Sequence, residues 1–463
     1  MSDALHYLSL HDAAGRLGAG SVSSAELTRA LVERIERLDG RLKSYATVTA
    51  ERALTQAAER DAERREGRCR GPLHGVPIAV KDLCDTAGIA TAAGTAIHRA
   101  HLPSRDATVV ARLEQAGAVL LGKLQMTEGA YGVHHPSVDP PKNPWNAAYW
   151  TGVSSSGSGV ATSAGLCFGS LGSDTGGSIR FPSTMNGVTG LKPTWGRVSR
   201  AGVFPLAESL DHVGPMCRDA RDAAMVLGVI AGADPADPTA APVAVPDYLS
   251  ALRDGVTGKR IGVPNNLVGL DADARRTLDG AIAAFGTLGA VLVDVALPEL
   301  DEAALAWIPL CALEAALAHE ATFPARRAEY GPDLAALLDF GRGLSGLELG
   351  RKQQVRARVK GELESLMASL DLLLLPVMGV AAPTVAGLAA GGRTPQTTAA
   401  RLRYTAPLDM SGQPSLTLPG GMTADGVPVG FQIVGRAFDE AAILAAGHAF
   451  QQATDWHLRR PPL

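Results

Sequence analysis

Between Thr151 and Gly190 the chain changes character: serine, glycine and threonine dominate and charges are few. Segments of that kind let a backbone approach a ligand closely. The competing reading is a flexible linker. A linker does not usually embed an aspartate and an arginine, Asp174 and Arg180, around a serine, nor run straight into Phe181-Pro182.

The flanking sequence alternates between two periods. Ser23 and Glu26 have capping-box spacing ahead of Leu27, Leu31, Ile35 and Leu38, which share one helical face. A charged helix is expected over 51–66, then a short buried strand at Val76–Lys81. Asp106 is expected to cap a helix bearing Val109, Val110 and Leu113 that Gly117 stops, with a strand at Ala118–Gly122 behind it. Further helices are expected over 218–232, 275–289, 347–370 and 439–453, and strands over 372–375 and 429–434. Strands alternating with helices argue an α/β architecture around an internal sheet. No 20–50-residue repeat interrupts the pattern, so one large domain is expected over 1–463.

Composition excludes several classes. Hydrophobic residues make up 46% and charged residues 19%, enough for a core and too apolar for disorder. With 47 acidic against 43 basic residues, nothing marks a nucleic-acid or anionic-membrane partner. Five cysteines without a C-x-x-C pair argue against a disulfide framework or zinc ribbon and fit a reducing cytosol. The first twenty residues lack a basic stretch followed by an apolar one, so no secretory leader is expected. The apolar run at 372–382 is too short to span a bilayer and contains Pro376. A soluble, cytoplasmic protein is expected.

Gly117-AVLL-Gly122-Lys123 has phosphate-loop spacing, but Leu124 stands where a metal-binding hydroxyl is needed and the middle residues are strand-like. His98-x-x-His101 and His134-His135 have no third ligand at a telling distance, so no metal is expected. Gly-Ser-Asp-Thr-Gly-Gly-Ser178 is different. Small residues before the serine leave consecutive backbone N–H groups unobstructed, as an oxyanion hole beside an attacking hydroxyl requires. A serine nucleophile needs a base, and the histidines offer no motif. Lys81 ends an apolar strand in a chain where arginines far outnumber lysines. Pointing inward it would be desolvated and able to accept a proton; pointing outward it would simply reach solvent.

Taken together, Gly71-PLHGVPIAV-Lys81-Asp82, the Ser/Gly segment with Gly172-SDTGG-Ser178-Ile-Arg180, and Pro428-VGFQIV-Gly435 resemble the amidase signature family over nearly the whole chain. The resemblance implies a mixed, mostly parallel twisted sheet covered by helices on both faces. It implies N-terminal helices in 1–70, a catalytic core in 71–215, and the rest of the sheet with substrate-pocket helices in 216–463. It implies a Ser–cis-Ser–Lys triad: Ser178 as nucleophile, Ser154 behind a cis Val153–Ser154 bond as relay, Lys81 as base. Thr175, Gly176, Gly177 and Ser178 match the oxyanion hole, and Ser155, Ser173, Asp174 and Arg180 the supporting positions. Gly152-Val-Ser-Ser-Ser156-Gly departs from the family's Gly-Gly-Ser-Ser-Gly-Gly at Val153 and Ser156, which puts local loop packing in question.

The implied activity is hydrolysis of a small carboxylic amide or anilide through an acyl-enzyme, without metal or organic cofactor. Alternatives with the same triad are the amidase-like subunit of a tRNA-dependent glutamyl or aspartyl amidotransferase, and a carbamate- or urea-type hydrolase. Met126, Tyr131, His134 and His135, with Trp307 and Phe340, are candidates for the pocket wall. A small-molecule amide is the expected partner, and a homodimer is a mild expectation.

Overall fold

The structure is a computed structural model that describes residues 5–392 and 394–463. Met1–Ala4, part of the segment read above for a leader and for N-terminal helices, lie outside the described residues, as does Arg393.

One eleven-stranded sheet runs through the chain. Its strands are β1 (Tyr45–Val48), β2 (Pro77–Lys81), β3 (Val119–Leu124), β4 (Gly169–Asp174), β5 (Thr189–Lys192), β6 (His212–Cys217), β7 (Arg260–Pro264), β8 (Val291–Val295), β9 (Leu372–Pro376), β10 (Ser415–Met422) and β11 (Pro428–Gly435). They lie in the order β1-β3-β2-β4-β6-β5-β10-β11-β9-β7-β8. The sheet is mixed, as expected, but not mostly parallel. Parallel pairing is confined to β3-β2-β4 and β9-β7-β8, and every other neighbour among the described residues is antiparallel. The reason is local: β10 and β11 are joined by a short turn at 423–427, and the connections through β4, β6 and β5 return strands in alternating directions.

Helices flank the sheet. Ser24–Leu42 begins with the capping box formed by Ser23 and Glu26, and its Leu27, Leu31 and Ile35 are buried. The helix after Asp106 starts at Thr108, but Asp106 does not cap it. Its carboxylate instead accepts from Ala87 N at 2.7 Å and ties down the loop after β2. Lys123, the residue of the discounted phosphate-loop pattern, lies in β3, fully buried, with its ammonium on Thr91 Oγ1 at 2.6 Å and 3.4 Å from Asp82. The long helix Leu300–Ala318, with Pro309 inside it, was not foreseen. It is apolar nearly all round, so no helical stripe marks it, and it is packed within the core. No helix among the described residues is long and apolar enough to cross a membrane.

The Ser/Gly segment is not a linker. It forms the helix Ser156–Ser163, strand β4 and the helix Arg180–Asn186, with every residue of these elements buried. Small side chains bring the first helix against β4, and their hydroxyls bond the strand's carbonyls: Ser158 Oγ donates to Leu171 O at 2.9 Å, and Ser155 Oγ to Ser173 O at 3.1 Å. Burial without large apolar side chains is thus satisfied by hydrogen bonds.

Candidate active site

Lys81 is the last residue of β2, in the parallel part of the sheet, and is wholly buried. Its ammonium donates to two hydroxyls, Ser154 Oγ at 2.6 Å and Ser173 Oγ at 2.8 Å. Burial drives its pKa down from 10.5 to about 7, with Cys84, Asp174 and Asp211 pulling the other way. Of the two orientations open from sequence, the structure shows the inward one.

The Val153–Ser154 peptide is cis. Before it, Gly152 has φ +78°, and a Cβ there would meet Pro182 N at 2.4 Å, so glycine is required. Ser155 forms a reciprocal pair with Ser173, accepting from Ser173 N at 3.2 Å, and its own N–H donates to Ser178 O at 3.3 Å. Lys81, Ser154, Ser155, Ser173 and Ser178 therefore meet at the ends of β2 and β4. One expected link is not formed: the Ser178 hydroxyl makes no hydrogen bond to Ser154 or to another described residue.

The Thr175–Ser178 turn is held by its outward-facing carbonyls. Trp307 Nε1 donates to Thr175 O at 2.7 Å, and Thr405 Oγ1 to Gly176 O at 2.7 Å. Because a peptide's N–H points opposite its C=O, each bond fixes the direction of the following amide. A Cβ on Gly176 would strike Trp307 Cζ2 at 2.7 Å. The amides of Gly176 and Ser178 donate to no described residue. Gly177 departs from the expected set, because its N–H donates to Asp174 Oδ1 at 2.6 Å.

Asp174 organises the turn from beneath. It accepts from Gly177 N, Ile179 N (2.9 Å), Arg180 N (3.2 Å) and the Arg180 guanidinium at 3.0 and 2.9 Å. Burial alone would raise its pKa, but Arg180 and the amide donors outweigh it and hold the carboxyl far below the usual range. Arg180 also reaches Asp409 Oδ2 at 2.5 Å and Thr405 O at 3.0 Å. Asp211 accepts from the Thr175 hydroxyl at 2.5 Å, and burial lifts its pKa to about 6. Sequence reasoning missed Thr405, Asp409 and Asp211, which come from distant segments with no motif spacing to the serines.

Ser178 opens on a cavity of about 570 Å³ whose walls include Trp150, Phe181 and Trp307. Tyr131 and His134 also line it. His134 Nε2 lies 3.0 Å from Ser156 Oγ, so the two residues flagged separately in the sequence are partners, and burial, aided by Lys142, lowers the imidazole's pKa to about 4. Met126 is a correction: it is fully buried in the hydrophobic core and does not line the cavity. Nor do His135, which bonds Ser137, or Phe340, which is exposed. Among the described residues no group of three or more His, Cys, Asp or Glu could hold a metal ion.

An inward lysine on hydroxyls, a glycine turn held by outside donors, and an aromatic cavity thus meet at Ser178. Residues 26–444 match the family model described as Amidase. The chain is 49% identical over 463 residues to the protein called "Putative amidase AmiD" of Mycobacterium tuberculosis, covering all of this chain and 97% of that one. It is 40% identical to one of the subunits of glutamyl-tRNA(Gln) amidotransferase of Moorella thermoacetica, over 99% of both chains. Peptide amidase from Stenotrophomonas maltophilia superposes with a TM-score of 0.84 at 33% identity, over 99% of this chain and 98% of that one. The chain belongs to the amidase signature family and is an amide C–N hydrolase.

Proposed function

We propose that the protein is a stand-alone amidase that cleaves small carboxylic amides or anilides through an acyl-enzyme on Ser178. Neutral Lys81 takes the Ser154 proton while Ser154 takes that of Ser178, and Ser178 Oγ attacks the carbonyl carbon. The amides of Gly176 and Ser178 stabilise the resulting oxyanion. Collapse breaks the C–N bond and the proton held on Lys81 returns through Ser154 to the departing nitrogen. Water then releases the acid by the same relay. The observation that carries this reading is the buried Lys81, lowered to about 7 and donating to Ser154 beside Ser178. A missing Ser154–Ser178 bond is compatible with it, because catalytic hydrogen bonds often tighten only when substrate is bound. The aromatic walls and about 570 Å³ of space suit a small aromatic or aliphatic acyl group.

The test is hydrolysis by the purified chain of glutamine, primary amides, anilides and an aryl carbamate, with Ser178→Ala as blank. Turnover of amides or anilides that vanishes in the blank supports the proposal. The 40% identity to an amidotransferase component favours one second reading. Glutamine turnover only after partner proteins of such a complex are added would select it.

A further inference from the structure

A second cleft, of about 960 Å³, shares no residue with the Ser178 cavity. It lies between the helix Leu10–Gly18, the start of the helix Ala220–Ile230, the end of the helix Glu440–Ala453 and the segment that follows. Its charged lining is unbalanced: Arg16, Arg218, Arg221 and Arg460 face it together with three histidines, against the carboxylates of Asp12 and Asp219.

The arginines matter because of what they lack. Arg218 is only 4% exposed, yet its guanidinium donates to main-chain carbonyls alone, Cys167 O at 3.0 Å, Thr162 O at 3.5 Å and Leu8 O. Its Nε has no partner. Arg460 likewise reaches only carbonyls, His457 O at 2.7 Å and Arg459 O at 3.1 Å, and stacks over Tyr7. Neither forms an ion pair with a described carboxylate. Burial and the Arg218 charge pull the Arg460 pKa down to about 10, with Tyr7, Asp219 and Asp222 pulling the other way. Asp219 caps the helix Ala220–Ile230 by accepting from Asp222 N at 2.7 Å, and Asp222 accepts from Leu10 N and His11 N. Asp12 approaches Arg221 only at 3.5 Å. Buried cations are ordinarily paired, because removing them from water is costly. Here the buried Arg218 and the half-buried Arg460 share one cleft, neither with a carboxylate partner among the described residues.

We propose that this cleft binds a phosphate-bearing small molecule. A phosphate offers two charges and several acceptor oxygens, so one group can answer neighbouring guanidinium forks at once with more charge than a single carboxylate brings. The volume falls within the range of small-molecule sites. The test is calorimetric titration of the full chain with inorganic pyrophosphate, adenosine diphosphate and citrate, at ionic strength held constant with sodium chloride. Saturable binding of pyrophosphate, weakened at least tenfold in Arg460→Gln and in Arg221→Gln, is expected, with a rise of about 2 °C in the melting midpoint at saturating ligand. Adenosine diphosphate binding tighter than pyrophosphate would mark the ligand as a nucleotide; weaker, as a smaller phosphate ester. No saturable heat with pyrophosphate, binding of citrate alone, or unchanged binding in both folded variants would overturn it.

Discussion

Replacing Lys81 by methionine should raise stability while destroying activity. The structure sets the size of both effects. Burial shifts the lysine from 10.5 to about 7, and at ~1.4 kcal/mol per unit this is a penalty of roughly 5 kcal/mol on the protonated form. Methionine removes that penalty but leaves Ser154 and Ser173 each without a hydrogen bond, at about 1 kcal/mol apiece. The net gain is about 3 kcal/mol. Unfolding entropy of ~2.1 cal/mol/K per residue over 463 residues makes this a rise of about 3 °C in the melting midpoint. The pH dependence fixes the cause. The folded pKa lies below the unfolded one, so between about 7 and 10.5 the unfolded chain binds one more proton and the wild type gains stability as pH rises. The advantage of Lys81→Met should therefore be full at pH 7 and below, vanish near pH ~9 and become a loss of about 2 kcal/mol above pH ~10.5, where only the missing hydrogen bonds remain. Activity should fall by about 10²–10⁴, as for loss of a general base. Calorimetry at pH 6, 8 and 10, with amide hydrolysis alongside, measures both. A midpoint that falls at pH 6, or a difference flat with pH, would refute the idea that burial discharges this lysine. Retained turnover would refute its role as base.

In the wild type, kcat/KM should climb about tenfold per pH unit below pH ~7 and level off above it; a limb rising to pH 10 would mean an ordinary lysine. Trp307→Phe keeps the ring but removes the N–H that holds Thr175 O, so kcat should fall about tenfold, well short of the loss for a whole oxyanion donor, with KM changed less than twofold; an unchanged kcat would show that the bond directs no catalytic amide. Arg180→Gln strips Asp174 and Asp409 of their shared cation and should cost about 3–5 kcal/mol, read as a lower urea midpoint. Ser156→Gly removes the partner of His134; kcat for primary amides should change less than threefold while the ranking of acyl groups shifts, and an unaltered ranking would place the pair outside substrate recognition.

The parts of the molecule that were legible in sequence are those whose physics is local. The capping box at Ser23 and Glu26, the apolar stripe behind it, and the run ending at Lys81 each follow from residues a few positions apart. The glycine turn was legible as a motif, but its cause is not local: Gly152 is demanded by the backbone at Pro182 and Gly176 by the Trp307 ring. Asp106 shows how a local rule fails: its side chain could cap the next helix, but a longer-range acceptor role on Ala87 N took precedence. The helices inside the Ser/Gly segment were hidden because their stability comes from hydroxyl-to-carbonyl bonds against β4 and not from an apolar stripe. Met126 carried no sign of which side of the backbone it would occupy. Thr405, Asp409 and Asp211 act only through the fold, which brings residues 36 to 229 positions apart into one hydrogen-bonded shell.

That shell also explains how one buried site keeps opposite charge states side by side. Lys81 and Asp174 are equally removed from water, yet one is pushed toward neutrality and the other held ionised. The difference lies in what each meets. Asp174 is surrounded by donors, three main-chain amides and two nitrogens of a guanidinium, all of which favour a carboxylate. Lys81 meets two hydroxyls that can turn to accept or donate, so its proton is replaceable at little cost. Proton transfer needs a base near its working pH, and oxyanion binding needs a turn whose amides do not relax. In the proposed mechanism flexible hydroxyl partners serve the first requirement and rigid ion pairs the second. The neighbouring parallel strands β2 and β4 end on Lys81 and Asp174, so the sheet holds both sets of partners side by side.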